Sequence, residues 1–158
     1  IGPMINKGAM NDTQTLVDES LEQGATVELS GGPVKGDGSF YLPVVLSNVS
    51  NDMAIAQNEI FGPVAPIIPF DTEQEAIAIA NSTEYGLAAY FYARDIGRIW
   101  RVAEQLDFGM VGINEGIISN AAAPFGGVKQ SGNGREGSKY GLDDYLEIKY
   151  LCMGGLGK

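Results

Sequence analysis

"TEQEAIAIANSTEYGLAAYFYARDIGRIWRVAEQLDFGMVGIN", residues 72–114, alternates between helix-like and strand-like patterns and decides the fold class. In its first part, residues 72–81, apolar side chains recur at helical spacing, and Thr72 with Glu75 predicts a capping box. A strand, a second helix and a buried strand follow at residues 87–94, 95–106 and 109–114. Strands that alternate with helices predict an α/β layer fold with a substantially parallel sheet.

The same alternation extends toward the N-terminus. Residues 11–23 have helical spacing, and Gly24 can close that helix in the left-handed conformation. Three extended segments and one short helix follow, at residues 25–31, 40–49, 64–70 and 53–58. Pro43 predicts an edge or an end of its strand. "VAPIIPF", residues 64–70, is apolar on both faces and therefore predicts a buried strand.

The C-terminal part begins with a glycine-rich loop and ends with an alternating segment. Residues 138–145 predict a short helix, and "YLEIKYLC", residues 145–152, has the period of two that is typical of a strand. We expect two parts, residues 1–143 as the main domain and residues 144–158 as a terminal strand and tail.

Charge and composition exclude several classes of function. Among 158 residues the net charge is −10, which argues against nucleic acid or an anionic membrane as a partner. With no His and a single Cys, we expect no metal site and no Ser-His-Asp or Cys-His apparatus. The lone Cys152 allows no intrachain disulfide, which predicts a reducing, cytoplasmic location. We expect it to pack as a small apolar side chain.

Gly132 to Gly137 match the dinucleotide-binding pattern G-x-G-x-x-G, but the context does not fit. That pattern requires a preceding strand, a following helix and an acidic residue about 20 positions later. "APFGGVKQS" precedes the match, and no acid follows at the required distance. We therefore interpret the glycines as sites of close backbone packing, and expect Lys129 and Arg135 to be solvated.

"QNEIFGPVAP", residues 57–66, is a second candidate site. Glu59 and Phe61 lie on a turn that enters a strand. A lone Glu is usually solvated, and a Phe after Ile is usually part of the core. They would form a ligand site only if that end of the sheet faces a cleft.

Several segments carry a family resemblance. "EIFGPVAP", residues 59–66, and "PFGGVKQSGNGREG", residues 124–137, resemble two signature segments in the C-terminal half of the aldehyde dehydrogenase superfamily. "EAIAIANSTEYGLAAYFYARD" and "GMVGINEG", which lie between them, fit the same family in the same order. "GPMINKGAM", residues 2–10, matches the segment that follows the catalytic cysteine helix. The ending, residues 134–156, resembles the succinate-semialdehyde branch.

The resemblance implies a layered α/β/α lobe of the catalytic domain, with a C-terminal oligomerisation strand and a homo-oligomer. Glu59 corresponds to the carboxylate that binds the nicotinamide ribose, and Phe61 to the aromatic beside the nicotinamide. Ser119 matches a loop serine that binds the distal carboxylate of the substrate, and Phe125 an aromatic near the aldehyde tunnel. The cofactor would be NAD or NADP in the full-length enzyme, with none bound to this chain alone.

The resemblance also implies that the catalytic groups lie upstream of Ile1. In that family a cysteine thiolate attacks the aldehyde, hydride passes to the cofactor, and water releases the acid. The start at Ile1 without Met favours a fragment, and we expect it to be inactive alone because the nucleophile and the general base are both missing from it. Two alternatives remain open: a free-standing binding or assembly module, and another branch that acts on glutarate semialdehyde or a betaine-type aldehyde.

Overall fold

The computed structural model describes residues 1–157, in which helices and strands alternate as the sequence predicts. The elements in chain order are α1 Lys7–Glu22, β1 Thr26–Leu29, β2 Gly32–Pro33, β3 Tyr41–Leu42, β4 Val44–Ser47, α2 Ala54–Gln57, β5 Val64–Pro66, α3 Glu73–Asn81, β6 Tyr85–Gly86, β7 Ala88–Phe91, α4 Ile96–Gln105, β8 Met110–Ile113, β9 Val128–Lys129 and a 3₁₀ helix Tyr140–Tyr145. They form two compact units, and along the chain the first unit ends at Ile79 and the second begins at Ala80. The division predicted after residue 143 does not coincide with this boundary and stays a prediction.

The first unit is built around α1 and a three-stranded sheet. Helix α1 begins four residues earlier than predicted, because the Asn6 side chain accepts a hydrogen bond from the Ala9 amide at 2.8 Å. Its end is as predicted, with Gly24 in the left-handed region at φ 104°. In the sheet, β4 pairs antiparallel with β1 and parallel with β5. Pro43 lies between β3 and β4, at a strand end as expected.

An apolar core fills the space between α1 and β4. All eight buried apolar residues of the described chain belong to the first unit: Val17, Tyr41, Val44, Leu46, Val49, Met53, Ile55 and Ile77. The hydroxyl of Tyr41 donates to Gln14 Oε1 at 2.8 Å, so its polar end is satisfied. Burial, followed by the charge of Asp18, raises the pKa of Tyr41 above its usual range.

The second unit has parallel strands β7 and β8, which pair from Ala88 with Met110 to Phe91 with Ile113. Strands β6 and β9 form a separate antiparallel pair. Half of the predicted capping box of α3 is present. The Glu75 amide donates to Thr72 Oγ1 at 3.1 Å, but the Glu75 carboxylate accepts from the Asp71 amide at 2.8 Å and not from the Thr72 amide. Helix α4 begins after Asp95, whose carboxylate accepts from the Arg98 amide at 2.6 Å.

Two expectations about burial and pairing are wrong. One substantially parallel sheet is not formed, because the strands are short and divide among four small sheets with mixed directions. The segment 64–70 is a strand only at Val64–Pro66, at the sheet edge, and Ile67 and Phe70 are exposed. On α4, Ile96 and Trp100 are 66% and 63% exposed.

The expected strand at residues 145–152 does not form within this chain. No regular structure is assigned from Leu146 to Gly157, and Ile148 is 100% exposed. A strand requires a partner for its backbone groups, and no other strand among residues 1–157 pairs with this segment. Cys152 is exposed as well, so the expectation that it packs among apolar side chains is wrong for the isolated chain.

We predict that this tail mediates self-association when the chain is isolated. Leu146, Ile148 and Tyr150 are 65%, 100% and 85% exposed, and burying each such side chain is worth about 1.5–3 kcal/mol. An unpaired segment with strand periodicity is a template for pairing with a second copy. Light scattering should therefore show a dimer or larger species for the chain, and a smaller species for a version that ends at Tyr145. Identical masses for the two versions at tens of micromolar would contradict this role.

Candidate functional site

The loop after α2 presents Glu59 and Phe61 to solvent. Helix α2 ends at Gln57, and the Asn58 side chain donates to the Ala54 carbonyl at 2.8 Å, which closes the last turn. Glu59 is exposed, and its carboxylate makes no hydrogen bond to residues 1–157. Phe61 is 81% exposed, contrary to the usual place of a Phe in the core. Its backbone φ of 44° is in the left-handed region, which is costly for a bulky side chain.

Thr13 anchors the two residues that flank Phe61. It is 1% exposed on α1, and its hydroxyl donates to the Ile60 carbonyl at 3.3 Å. A Cβ on Gly62 would lie 2.7 Å from Thr13 Oγ1, so only glycine allows this approach. Ile60 packs against the apolar core of the first unit. These contacts hold the loop on its buried side, while Glu59 and Phe61 remain free to contact a ligand.

The two predicted substrate-binding residues lie in the second unit, on one segment that follows β8. Ser119 is exposed, and its hydroxyl makes no hydrogen bond to the described residues. Phe125 is half-buried and pairs with Glu136 through two backbone hydrogen bonds of 2.9 and 2.7 Å. This bridge holds the segment 114–125 at its far end.

A groove of about 430 Å³ lies beside this bridge. Phe125, Arg135, Glu136, Asp144 and Tyr145 line it together with glycine backbone. The groove combines an aromatic surface with charged groups, so it can accommodate a ligand that has both apolar and polar parts. Ser119 is not part of its lining.

The interpretation of Lys129 and Arg135 as solvated charges is wrong. The Lys129 ammonium donates to the carbonyls of Asn81 and Thr83, both at 3.1 Å, at the C-terminal end of α3. It also lies 3.1 Å from Asp107 Oδ2, and its side chain is 23% exposed. Arg135 Nη1 donates to the carbonyls of Gly127 and Gly134 at 2.7 and 2.6 Å. Both cations therefore hold the glycine-rich loop together.

The glycines of this loop serve close packing, as expected. A Cβ on Gly109 would lie 2.0 Å from the Gly126 carbonyl oxygen, and one on Gly126 would lie 2.6 Å from the Gly134 oxygen. No side chain fits between these backbone segments. That the G-x-G-x-x-G match has no role in phosphate binding stays a prediction.

The candidate residues lie in pairs on two segments, one in each unit. Glu59 and Phe61 share one loop of the first unit, and Ser119 and Phe125 share one segment of the second. Sequence reasoning missed the two residues that hold these loops: Thr13, whose hydroxyl donates to the Ile60 carbonyl, and Asn114, whose Oδ1 accepts from the Ala93 amide at 2.9 Å. A turn propensity at Asn114 was the one available signal, because Asn tolerates the left-handed region.

A model of the aldehyde dehydrogenase family matches residues 1–151 of the chain. The chain belongs to the aldehyde dehydrogenase family. Succinate-semialdehyde dehydrogenase of Mus musculus mitochondria is 57% identical over 98% of this chain and 30% of its own length. The enzyme of that name from Paenarthrobacter nicotinovorans is 58% identical over 96% of this chain and 34% of its own length.

Solved aldehyde dehydrogenase structures have the same fold. A crystal structure of succinate-semialdehyde dehydrogenase from Burkholderia pseudomallei superimposes with a TM-score of 0.92 at 54% identity, over 97% of this chain and 32% of that chain. An NADP-dependent enzyme from E. coli gives 0.94 at 52% identity, over 98% and 32%. The predicted family and α/β fold class are therefore confirmed. The chain spans about a third of the length of the aldehyde dehydrogenases it matches.

Among residues 1–157, no helix is both long enough and apolar enough to cross a bilayer.

We predict that replacing Lys129 by Met lowers the free energy of unfolding by about 1–2 kcal/mol. Methionine retains the apolar stem but leaves the Asn81 and Thr83 carbonyls and Asp107 without the ammonium. Urea denaturation of the two forms of the chain measures this difference. Lys35→Met, at an exposed position of the β2–β3 turn, is the matched control and should change stability by less than about 0.5 kcal/mol. Equal effects of both substitutions would show that Lys129 does not hold the loop.

Proposed function

We propose that this chain is the C-terminal part of an NAD(P)-dependent aldehyde dehydrogenase that oxidises succinate semialdehyde to succinate. The proposal rests on the sequence identity of 57–58% between this chain and mouse and bacterial proteins named succinate-semialdehyde dehydrogenase. A structure named betaine aldehyde dehydrogenase, from Staphylococcus aureus, has only 42% identity to this chain and a TM-score of 0.85. This difference favours the succinate-semialdehyde branch over a betaine-type branch.

The surface of the second unit supports the proposal that the chain acts within a larger protein. In this unit no apolar residue is buried among the described residues, and Ile117, Trp100 and Tyr145 are 84%, 63% and 85% exposed. Isolated soluble proteins do not usually leave so many large apolar groups in water. The remainder of the enzyme would cover part of this surface, and a second copy would cover the C-terminal tail.

Glu59 and Phe61 are proposed to bind the nicotinamide cofactor. The cofactor, when bound, supplies the carbon that accepts a hydride from the substrate. The residues present fit this group: the Glu59 carboxylate has free lone pairs for two ribose hydroxyls, and the exposed Phe61 ring offers a flat apolar surface. A structure of the S. aureus betaine aldehyde dehydrogenase is a complex with NAD+, and the E. coli relative is named NADP-dependent. Either dinucleotide is compatible with the residues on this chain.

Ser119 and Phe125 are proposed to act on the substrate side. The free Ser119 hydroxyl can donate to the distal carboxylate of succinate semialdehyde, and Phe125 can contact its methylene groups. With no His and one exposed Cys, the chain holds no nucleophile-base pair, so we propose that catalysis depends on residues outside it. A cytoplasmic location stays a prediction, because the mouse relative is named as mitochondrial.

The test of the function is an absorbance assay for the reduced nicotinamide, with the 158-residue chain and with the full-length enzyme that contains it. We expect turnover of succinate semialdehyde by the full-length enzyme and none by the chain alone. Turnover by the repurified chain would contradict the dependence on outside residues. A gene that encodes no more than this chain would favour a free-standing binding or assembly module. Faster turnover of glutarate semialdehyde would favour the other branch.

We predict that Glu59→Gln in the full-length enzyme slows the first turnover by about tenfold or more. Glutamine retains the shape but loses the charge, and a hydrogen bond to a charged group contributes about 1.5–3 kcal/mol. Stopped-flow absorbance of the reduced cofactor measures this rate, and the Michaelis constant for the aldehyde should change little. Glu22→Gln, which removes the same charge at the exposed end of α1, is the control. An unchanged single-turnover rate would rule out the ribose contact.

A further inference from the structure

At the end of strand β8, a single side chain makes two hydrogen bonds to the backbone of one residue in the neighbouring segment. The backbone ladder with β7 ends at the pair Phe91 and Ile113, and the Asn114 amide adds a last bond to the Phe91 carbonyl at 3.0 Å. Beyond it, Asn114 Oδ1 accepts from the Ala93 amide at 2.9 Å, and Asn114 Nδ2 donates to the Ala93 carbonyl at 2.8 Å. The carboxamide thus satisfies both backbone groups of Ala93, as another strand residue would.

Asn114 also changes the direction of the chain. Its φ of 57° is in the left-handed region, which Asn adopts more readily than other residues with a side chain. The chain then folds back so closely that a Cβ on Gly112 would lie 2.8 Å from the Glu115 carbonyl oxygen. Glu115 Oε1 accepts from the amides of Gly116 and Ile117 at 2.9 and 3.1 Å, which stabilises the turn.

Both ends of the segment that carries Ser119 are therefore fixed. At the far end, Asn120 Oδ1 accepts from the Ala122 amide at 2.9 Å, and the Ser138 amide donates to the Ala121 carbonyl at 2.9 Å. Ser119 itself makes no hydrogen bond to residues 1–157. The position of Ser119 therefore depends on the contacts on either side of it. At the end of the segment that follows β8, the side-chain contact is that of Asn114 with Ala93.

We propose that Asn114 is a positioning residue for substrate selection. It holds the segment 114–120 so that Ser119 can reach the distal carboxylate of the aldehyde. The proposal rests on the proposed function. It assigns no chemical step to Asn114. The carboxamide acts through Ser119, so its loss should affect carboxylate-bearing aldehydes more than aldehydes without that group.

Two substitutions separate the backbone role of Asn114 from its side-chain contact. Asn114→Asp keeps the size and the tolerance for positive φ, but it places a carboxylate against the Ala93 carbonyl in place of the Nδ2 donor. Asn114→Gly keeps the backbone conformation and removes both side-chain bonds. Asn11→Asp, on the exposed surface of α1, adds the same charge elsewhere and is the matched control.

In the full-length enzyme, we expect Asn114→Asp to raise the Michaelis constant for succinate semialdehyde by about fivefold, the effect of one hydrogen bond. The constant for butyraldehyde, which lacks the carboxylate, should change by less than about twofold. Because Asn114 acts through Ser119, Asn114→Asp should have little further effect in a Ser119→Ala background. Equal effects on both aldehydes, or additive effects of the two substitutions, would overturn the proposal.

Amide hydrogen exchange gives a readout that is independent of turnover. The Ala93 amide should exchange about fivefold faster in Asn114→Gly than in the wild type, since its acceptor is gone. Unchanged exchange would show that the contact does not hold the segment, and would overturn the proposal. If the wild-type enzyme does not oxidise succinate semialdehyde, the proposed function fails and substrate selection by Asn114 fails with it. The exchange result still decides separately whether Asn114 holds the segment.

Discussion

The close approach of two backbone segments, at Gly109 and Gly126, is the constraint on which the second unit depends. A Cβ at Gly109 would lie within 2.0 Å of the Gly126 oxygen, so any other residue would separate the segments. Because they are in contact, β9 can pair with β6, and the Gly86 amide can donate to Ser131 Oγ at 3.0 Å. This unit has no buried apolar residue among those described, so hydrogen bonds and close packing replace the usual core. The Lys129 ammonium adds a hydrogen bond to the carbonyl of Asn81, at the end of α3.

The first unit presents its candidate site in a different way, with one partly buried residue, Ile60, between two exposed ones. Ile60 packs against the core that contains Leu46 and Ile55, which are 0% and 2% exposed. Its neighbours Glu59 and Phe61 are both exposed. The packing of Ile60 against this core therefore also keeps in place the two exposed residues that we propose to bind the cofactor.

Local patterns predicted the helices well, because the signals for them are local. Thr72 caps α3 and Gly24 follows α1, as the sequence indicated. Strand pairing and burial were predicted less well, because they depend on distant residues. Lys129 illustrates this limit: the groups that it binds, at Asn81, Thr83 and Asp107, are at least 22 positions away, and nothing in the adjacent sequence indicates them.

The same distinction applies to the candidate site. Glu59, Phe61, Ser119 and Phe125 were found through a resemblance between short segments, and the structure places each pair on one loop. No local pattern could show that Thr13 would meet Gly62, because 49 positions separate them and the contact depends on how α1 lies against the loop. The exposed state of Cys152 was likewise unpredictable from its own segment, since a strand is buried only when another strand pairs with it.

Both candidate loops contain a residue other than glycine that has a positive φ angle. Five described residues have them, and two, Phe61 and Asn114, lie where a candidate loop changes direction. The conformation costs little for Asn but more for Phe, which has no polar group to bond its own backbone. Such a cost persists only where the surrounding contacts impose it, and these conformations cluster at functional sites. At Phe61 the contacts are the Thr13 hydroxyl on Ile60 and the approach of Gly62 to Thr13. The strain at Phe61 is therefore imposed from the buried side of the loop, which leaves its exposed ring available to a ligand.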